Sequence, residues 1–358
     1  LKHSENILHT SNNGVMKWRS MIFLIIAVVL LILLDLGLGS VRIPTMEVAN
    51  ILLGQSIENE AWQAIVLKIR LPRTITAILA GAALSVSGLQ MQTLFRNPLA
   101  GPSVLGITAG ASLGVAAVML AAGTATTAFT IRQLGLGGSW LIIIAASFGA
   151  ALVLLAILAI SYRIRDNVVM LIVGIMVANI TIAIVSIWQY FSDPEQIQEY
   201  IFWTFGSLGG VTSDQLSILS VIVALGIIMT FFLSKTLNAL LLGEDYAQSM
   251  GLNIRKSRVA IIAVTSVLAG AITGFCGPIG FVGIAVPHLT RSFLNTSDHK
   301  VLIPSCVLVG AILMLVCDII SQVPGSNTVL PVNAITAMIG SPIVIWIIVK
   351  RRNLKSSF

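Results

Sequence analysis

Six long apolar runs dominate this sequence. Residues 21–34, 141–160, 168–188, 218–233, 301–319 and 335–349 are built almost entirely from Leu, Ile, Val, Ala, Met and Phe. A membrane span takes roughly 20 mostly apolar residues. A backbone in lipid must satisfy its hydrogen bonds internally, and runs of this length do so as helices. Composition closes off the soluble reading: 56% of the 358 residues are hydrophobic and 10% are charged, against about 25% charged in a typical soluble domain. The chain therefore reads as an all-α membrane protein of about ten transmembrane helices, at 18–38, 70–92, 98–121, 139–161, 167–191, 214–234, 257–276, 280–294, 300–321 and 333–350. They form one transmembrane domain over 18–350, with a polar tail at 1–17 expected to be disordered and a second tail at 351–358. The first run is long, is flanked by Lys17 and Arg19, and lacks a small-residue cleavage site, so it reads as a retained helix and not a signal peptide.

The formal net charge of +7 does not point to nucleic acid, because the basic residues are scattered through loops and termini. They do orient the chain. With both termini cytoplasmic, Lys2, Lys17, Arg19, Arg96, Arg163, Arg165, Lys235, Arg255, Lys256, Arg258, Arg291, Lys300, Lys350, Arg351, Arg352 and Lys355 fall inside. Arg42, Lys68, Arg70, Arg73 and Arg132 fall outside. Sixteen of the 21 basic residues on one side satisfies the positive-inside rule. Glu47, Glu58, Glu60, Asp193, Glu195, Glu199 and Asp214 gather on the outer side. Cys276, Cys306 and Cys317 lie in apolar segments, where a buried free thiol is the ordinary state.

An internal repeat is visible. Leu79-Ala80-Gly81-Ala82, Gly88 and Pro98 recur as Leu268-Ala269-Gly270-Ala271, Gly277 and Pro287 at a constant offset of 189. These words fall on the second and seventh spans, which run in opposite directions. That suggests an inverted repeat of spans 2–5 against 7–10, a recurrent transporter architecture. Gly106, Gly110 and Gly114 form a small-xxx-small stripe suited to close helix approach. Gly277-Pro278-Ile279-Gly280 should break the chain between the seventh and eighth spans.

Residues 240–258, LLLGEDYAQSMGLNIRKSR, are the most charge-dense interruption in the middle of the chain. Glu244 and Asp245 sit where the first turn of a short helix would be, favourable against the helix dipole, and Gly251 sits where it would stop. On the inner side, such a helix is either a plain loop or a docking handle for a soluble partner.

Arg70-Leu71-Pro72-Arg73, Gly81-Ala82-Ala83-Leu84, Gly88-Leu89-Gln90-Met91-Gln92 and Asn97-Pro98-Leu99-Ala100 together resemble the iron–siderophore, haem and vitamin B12 permeases of type II ABC importers. So do Leu242-Gly243-Glu244 with Ala247 and Gly251-Leu252, Gly280-Phe281-Val282-Gly283 with Pro287-His288 and Arg291, and Leu330-Pro331-Val332 with Thr336 and Gly340-Ser341-Pro342. The matches run in order from residue 70 to 350. The resemblance implies an inner-membrane permease, working as a homodimer or similar pair with one path at the interface. Two cytoplasmic ATPases carry ATP and Mg, an extracytoplasmic protein delivers the solute, and this chain binds no cofactor or metal of its own. The chain also lacks a G-x-x-x-x-G-K-[ST] phosphate loop. Among solutes, family frequency favours a ferric siderophore over haem or cobalamin, and oxyanions are also carried by relatives.

Carried onto this sequence, the resemblance makes 240–255 the coupling segment, with Gly243, Glu244, Asp245, Ala247 and Gly251 in it and Leu241, Tyr246 and Met250 as anchors in an ATPase groove. It makes Arg70 and Arg73 docking sites for acidic residues of the binding protein, although snorkelling to headgroups would also account for them. Gln322 and Val329 stand where the family has a charge pair, and Asn333 replaces a usual glycine. Asn97, Leu99, Asp166 and Asn167 correspond to an inner gate, while Asn97-Pro98 fits ordinary turn chemistry equally well. Asn179, Thr181, Ser186 and Gln189 suit a path for a large solute, and helix–helix hydrogen bonds account for them equally. Asp318 reads as a cap, and His288 with Arg291 as structural. An ion-coupled secondary transporter also uses inverted repeats, but it would call for carboxylates near the midplane, and the spans are nearly free of them. A membrane-embedded enzyme would require a cluster of His, Asp or Glu within the spans.

Overall fold

The computed structural model of the chain describes residues 2–55, 59–121, 136–161, 166–326 and 328–351, and every regular element among them is helical. Glu58, Arg132, Arg163, Arg165, Arg352 and Lys355 lie outside the described residues, as does the tail after Arg351.

The chain opens with α1 (Lys2–Gly37), whose span-like part is Trp18–Gly37. The helix thus starts inside the polar stretch expected to be irregular. Next come α2 (Thr45–Leu52) and α3 (Glu60–Ala64), which runs through a π-helical turn at Ile65–Arg70 into α4 (Leu71–Leu94). After a 3-10 turn at Pro102–Leu105 come α5 (Ile107–Ala116), a second π turn at Ala117–Ala121, α6 (Leu136–Ser161), α7 (Asn167–Phe191), α8 (Pro194–Thr204) and α9 (Ser213–Phe232). The rest is α10 (Ser234–Leu241), α11 (Glu244–Ser249), α12 (Ile254–Cys276), α13 (Val282–Leu294), α14 (His299–Ser321) and α15 (Val332–Arg351).

Short polar residues start several of these helices, because their oxygens accept the first free backbone N–H groups. Asp166 caps α7, Asn253 caps α12 and Asp298 caps α14, and Thr212 with Gln215 forms a capping box on α9.

Among the described residues, seven helices are long and apolar enough to cross a membrane: Trp18–Gly37, Glu60–Leu94, Ser139–Ser161, Val168–Phe191, Ser213–Phe232, Ile254–Cys276 and His299–Ser321. Of the other expected spans, α15 is 20 residues long and α5 continues through its π turn to Ala121, where the described residues break off. At 13 residues, α13 reaches only about 20 Å of the roughly 30 Å hydrocarbon layer.

α4 is the hub. In its most apolar 18-residue stretch the Glu60–Leu94 span is 83% buried, against 22% in those of Trp18–Gly37 and Val168–Phe191. α4 packs on α9, α12, α13 and α14, and two apolar core clusters meet along it. Bilayer tails are as apolar as leucine, so close van der Waals contact and polar ties hold such helices together. Gly81 shows the first: a Cβ there would lie 2.1 Å from the Gly310 carbonyl oxygen on α14. The predicted glycine stripe behaves likewise, since Gly114 abuts Ala145 and Gly110 abuts Gly149, both on α6. A polar tie crosses the interior where Gln90, fully buried, donates to Thr230 Oγ1 at 2.6 Å and accepts from Thr265 Oγ1 at 3.2 Å.

The repeat helices are antiparallel. Arg73, at the start of α4, lies beside Gly209, and the neighbouring Ser207 donates to the Cys276 carbonyl at the end of α12. Arg96, Lys235, Arg255, Lys256, Arg258, Arg291 and Lys300 gather at one end of the bundle, its basic end.

Candidate functional site

α11 stands at the basic end. α10 stops at Leu241, and Gly243 turns the chain with φ +108° and ψ 153°, a region closed to residues with a Cβ. Glu244 and Asp245 occupy the first turn of α11, and Gly251 follows it at φ +86°. Ala247 is fully buried against the body, while Tyr246 and Met250 are 54% and 52% exposed. Asp245 is exposed and Leu241 is half-buried. The more exposed leucine is Leu242, at 62%, because it sits in the break between helices and not on α10.

Glu244 turns back to Arg258 on α12, with oxygens 2.9 and 3.2 Å from Nη2. This ion pair and buried Ala247 hold the short helix against α12, so a six-residue helix, too short to be stable alone, presents Leu242, Tyr246 and Met250 outward. A cleft of about 700 Å³ beside it is lined by Glu244, Asp245, Gln248, Asn253 and Arg255 among others.

The turn after α4 is built from its own chemistry. Arg96 adopts φ +47°, the Asn97 N–H donates to the Gln92 carbonyl and the Arg96 N–H to that of Thr93, the Schellman pattern of a helix end. Asn97 Oδ1 accepts from the Leu99 N–H at 2.9 Å, and Leu99 is 40% exposed. His288 Nε2 donates to the Pro98 carbonyl at 2.8 Å, and Arg291 donates to Gln92 Oε1 at 2.8 Å. Asp166 is likewise engaged locally, accepting from the Val168 and Val169 N–H groups. The side chain of Asn167 lies outside the described residues.

On α7 the four polar residues part company. Asn179 and Ser186 are exposed, and seven residues apart they share a face. Gln189 is half-buried nearby. Thr181 is 4% exposed and donates to the Val177 carbonyl within its own helix, so it faces inward and is removed from any path along the exposed face.

At the opposite end the two arginines are engaged inside the fold. Arg70 is 6% exposed and donates to the carbonyls of Leu36, at 2.7 Å, and Val41. Arg73 grips Asp318 with Nε at 2.9 Å and Nη2 at 2.8 Å, and Nη2 also reaches Ser321 Oγ. Asp318 is thus an ion-pair partner and not a cap. Gln322 Nε2 bridges Asp318 and Asp35, each at 3.0 Å, and Thr74 donates to Asp35. Arg73, Asp318, Gln322, Asp35 and Thr74 thus brace α1, α4 and α14 together. Sequence reasoning passed over Asp35, a lone acid at the end of an apolar run. The odd Gln322 and Asn333 both have uses: Asn333 Oδ1 accepts from the Gly280 N–H at 3.0 Å, stapling the chain break ahead of α13.

The sequence matches the profile of the FecCD transport family over residues 25–350. The chain belongs to the FecCD transport family. Its relatives include the hemin transport system permease HmuU of Yersinia pestis, 32% identical over 338 residues, covering 93% of this chain and 97% of the relative. Another is the vitamin B12 import permease BtuC of Klebsiella pneumoniae, 34% identical over 291 residues, covering 81% and 84%. Among solved structures, an inward-facing metal-chelate-type ABC transporter superposes with a TM-score of 0.80 at 26% identity, covering 93% of this chain and 99% of that one. A FecCD member is a multi-pass membrane transport subunit, and the helices above have that form.

Proposed function

We propose that this chain is the inner-membrane permease of a binding-protein-dependent ABC importer, with both termini and the basic end in the cytoplasm. Two copies, or this chain and a close relative, form one path, with the exposed face of α7 that carries Asn179 and Ser186 turned toward it. The observation that carries the reading is α11. It is a short helix locked to the body by Glu244–Arg258 and Ala247, and it offers Leu242, Tyr246 and Met250 to a soluble partner, the arrangement expected for helix-in-groove recognition. The partner is an ATPase, and ATP with Mg belongs to it; this chain holds no cofactor or metal. The gate assignment for Asn97, Leu99, Asp166 and Asn167 stands as part of this reading, since turns tied locally can move as units.

A binding protein delivers the solute at the opposite end. Arg70 and Arg73 brace that end, and their docking assignment stands as part of this reading. The relatives' names and the structural neighbour point to a large metal chelate: a ferric siderophore, haem or cobalamin. The test is ATP-driven uptake into liposomes holding the chain, its ATPase and its binding protein, run against those three classes and an oxyanion. Uptake of one class only with ATP is the expected result. Uptake that continues without any ATPase, as an ion-coupled secondary transporter would show, would overturn the reading.

A further inference from the structure

At the basic end, three helices meet through side chains that the docking surface and the solute path leave unused. His299, the first residue of α14, is fully buried. Its Nε2 lies 2.8 Å from Thr93 Oγ1 on α4, and its Nδ1 lies 2.7 Å from Asn238 Oδ1 on α10. Asn238 also accepts from the His299 backbone N–H at 2.9 Å and donates from Nδ2 to Asp298 Oδ1 at 2.8 Å.

The donors follow from the partners. A carboxamide oxygen only accepts, so Nδ1 carries a proton, and Nε2 of the neutral ring accepts from the Thr93 hydroxyl. The chain of donation therefore runs from Thr93 through His299 and Asn238 to the Asp298 carboxylate. The Thr93 hydroxyl has a second acceptor, since it lies 2.9 Å from the Leu89 carbonyl within α4. One rotation moves its single proton between the ring and its own helix, which gives the link two discrete arrangements.

Both ends of this link touch segments that move in the reading above. Thr93 lies one residue from the end of α4, and its carbonyl holds the Arg96 N–H of the turn that carries Asn97 and Leu99. Asn238 lies three residues before Leu241, where α10 gives way to Gly243 and α11. The guanidinium of Arg96 lies beside Gly243 itself. We infer that Thr93, His299, Asn238 and Asp298 form a positioning latch that carries displacement of the α10–α11 segment to the turn at Asn97–Leu99. The inference rests on the reading of α11 as an ATPase-docking helix. Coupling between distant sites needs an element whose two states both sites bias, and the hydroxyl with its two acceptors supplies it.

The test follows the turn directly, so it needs no knowledge of the solute. Ser103 is exposed in the 3-10 turn just beyond the gate turn, and Cys276, Cys306 and Cys317 are all buried. The chain carrying Ser103→Cys is assembled with its ATPase in nanodiscs, and maleimide labelling is timed without nucleotide and with ATP and vanadate. The latch predicts a change in labelling rate of roughly fivefold or more on adding nucleotide, the usual span of a coupling between sites. Thr93→Val keeps the side-chain shape and removes the hydroxyl. It should abolish that change while ATP hydrolysis stays at the level of the latch-intact complex, and Thr93→Ser should restore the response. His299→Asn, which keeps the contact to Asn238 and gives up Thr93, is a second route to the same break with the same expectation. A nucleotide response that persists in Thr93→Val and His299→Asn would overturn the latch, as would its equal loss in Thr93→Ser. If the ATPase fails to bind the latch-intact chain, the docking reading falls, and the latch with it. That failure is told apart because no variant is needed to see it.

Discussion

At the scale of single residues, the docking segment depends on a few positions with separable roles. Gly243 holds φ +108° with open space around it, its nearest neighbour being the Arg96 guanidinium. Gly243→Ala therefore meets no hard clash, and its cost is backbone strain, about 1–3 kcal/mol for a residue forced into so sparse a region. The expected outcome is a lower Tm of the detergent-solubilised chain together with weaker ATPase binding. Tyr246 and Ala247 are neighbours with opposite exposure, which lets docking be tested apart from folding. Tyr246→Ala should leave the Tm unchanged and weaken ATPase association roughly tenfold, the loss of one aromatic anchor. Ala247→Leu, placed in a fully buried site, should lower the Tm by overpacking. If both variants lowered Tm and binding together, the exposed face of α11 would not be a docking surface. The arginines teach a different lesson. Arg70 and Arg73 stand out in the sequence as cations on the sparsely basic side, but their partners lie 34 and 245 residues away in Leu36 and Asp318. Such pairings depend on how α1 and α14 pack on α4, which local spacing does not encode.

At the scale of elements, the helices themselves were almost fully legible. The cause is the bilayer: a span-length apolar run has one stable local solution, and the polar caps at Thr212, Asn253 and Asp298 mark its start. What local pattern does not register is where a helix is short, offset or continued. The π-helical run at Ile65–Arg70 joins α3 to α4 through Lys68 and Arg70, so the helix continues ahead of the span expected at 70–92. α13 falls short of a full span because the Gly277–Gly280 break consumes part of its length. The Thr93–His299–Asn238 link was invisible for the same reason as the arginine pairings: its members come from three helices. Faces, too, emerge only on packing, as α7 shows by turning Thr181 inward and Asn179 and Ser186 outward. Thiol labelling checks this. Asn179→Cys and Ser186→Cys should react with a small polar maleimide in the assembled complex, and Thr181→Cys should resist it. Equal labelling of all three would mean that α7 does not present one polar face to the path. The α4–α14 contact has its own test. Gly81→Val puts side-chain atoms on the Gly310 backbone, which cannot yield as a flexible side chain would. The expected loss is at or above the upper end of the 1–3 kcal/mol typical of overpacking, read as a drop in Tm.

At the scale of the whole molecule, the claim that everything else rests on is which way the bundle faces. The count of sixteen basic residues against five comes from the sequence, and the exposed residues of the fold keep its sign. Of the basic residues described at the end opposite α11, Arg70 is buried and Arg73 is paired with Asp318, which leaves Arg42 and Lys68 exposed there. The basic end keeps Arg96, Lys235, Arg255, Lys256 and Lys300 at its surface. The surface of the fold therefore keeps the bias of the count, in the direction that retains short basic loops in the cytoplasm. Topology reporters turn this into a measurement. A phosphatase that folds only outside the cytoplasm should be active when fused in the loop at Asp193, between α7 and α8. The same phosphatase should be inactive when fused after Gly251. A fluorescent protein joined beyond residue 358 should fluoresce. An active phosphatase at Gly251 would place α11 on the face away from ATP. No ATPase could then reach Tyr246 or Met250, and both the docking helix and the latch behind it would lose their function at once.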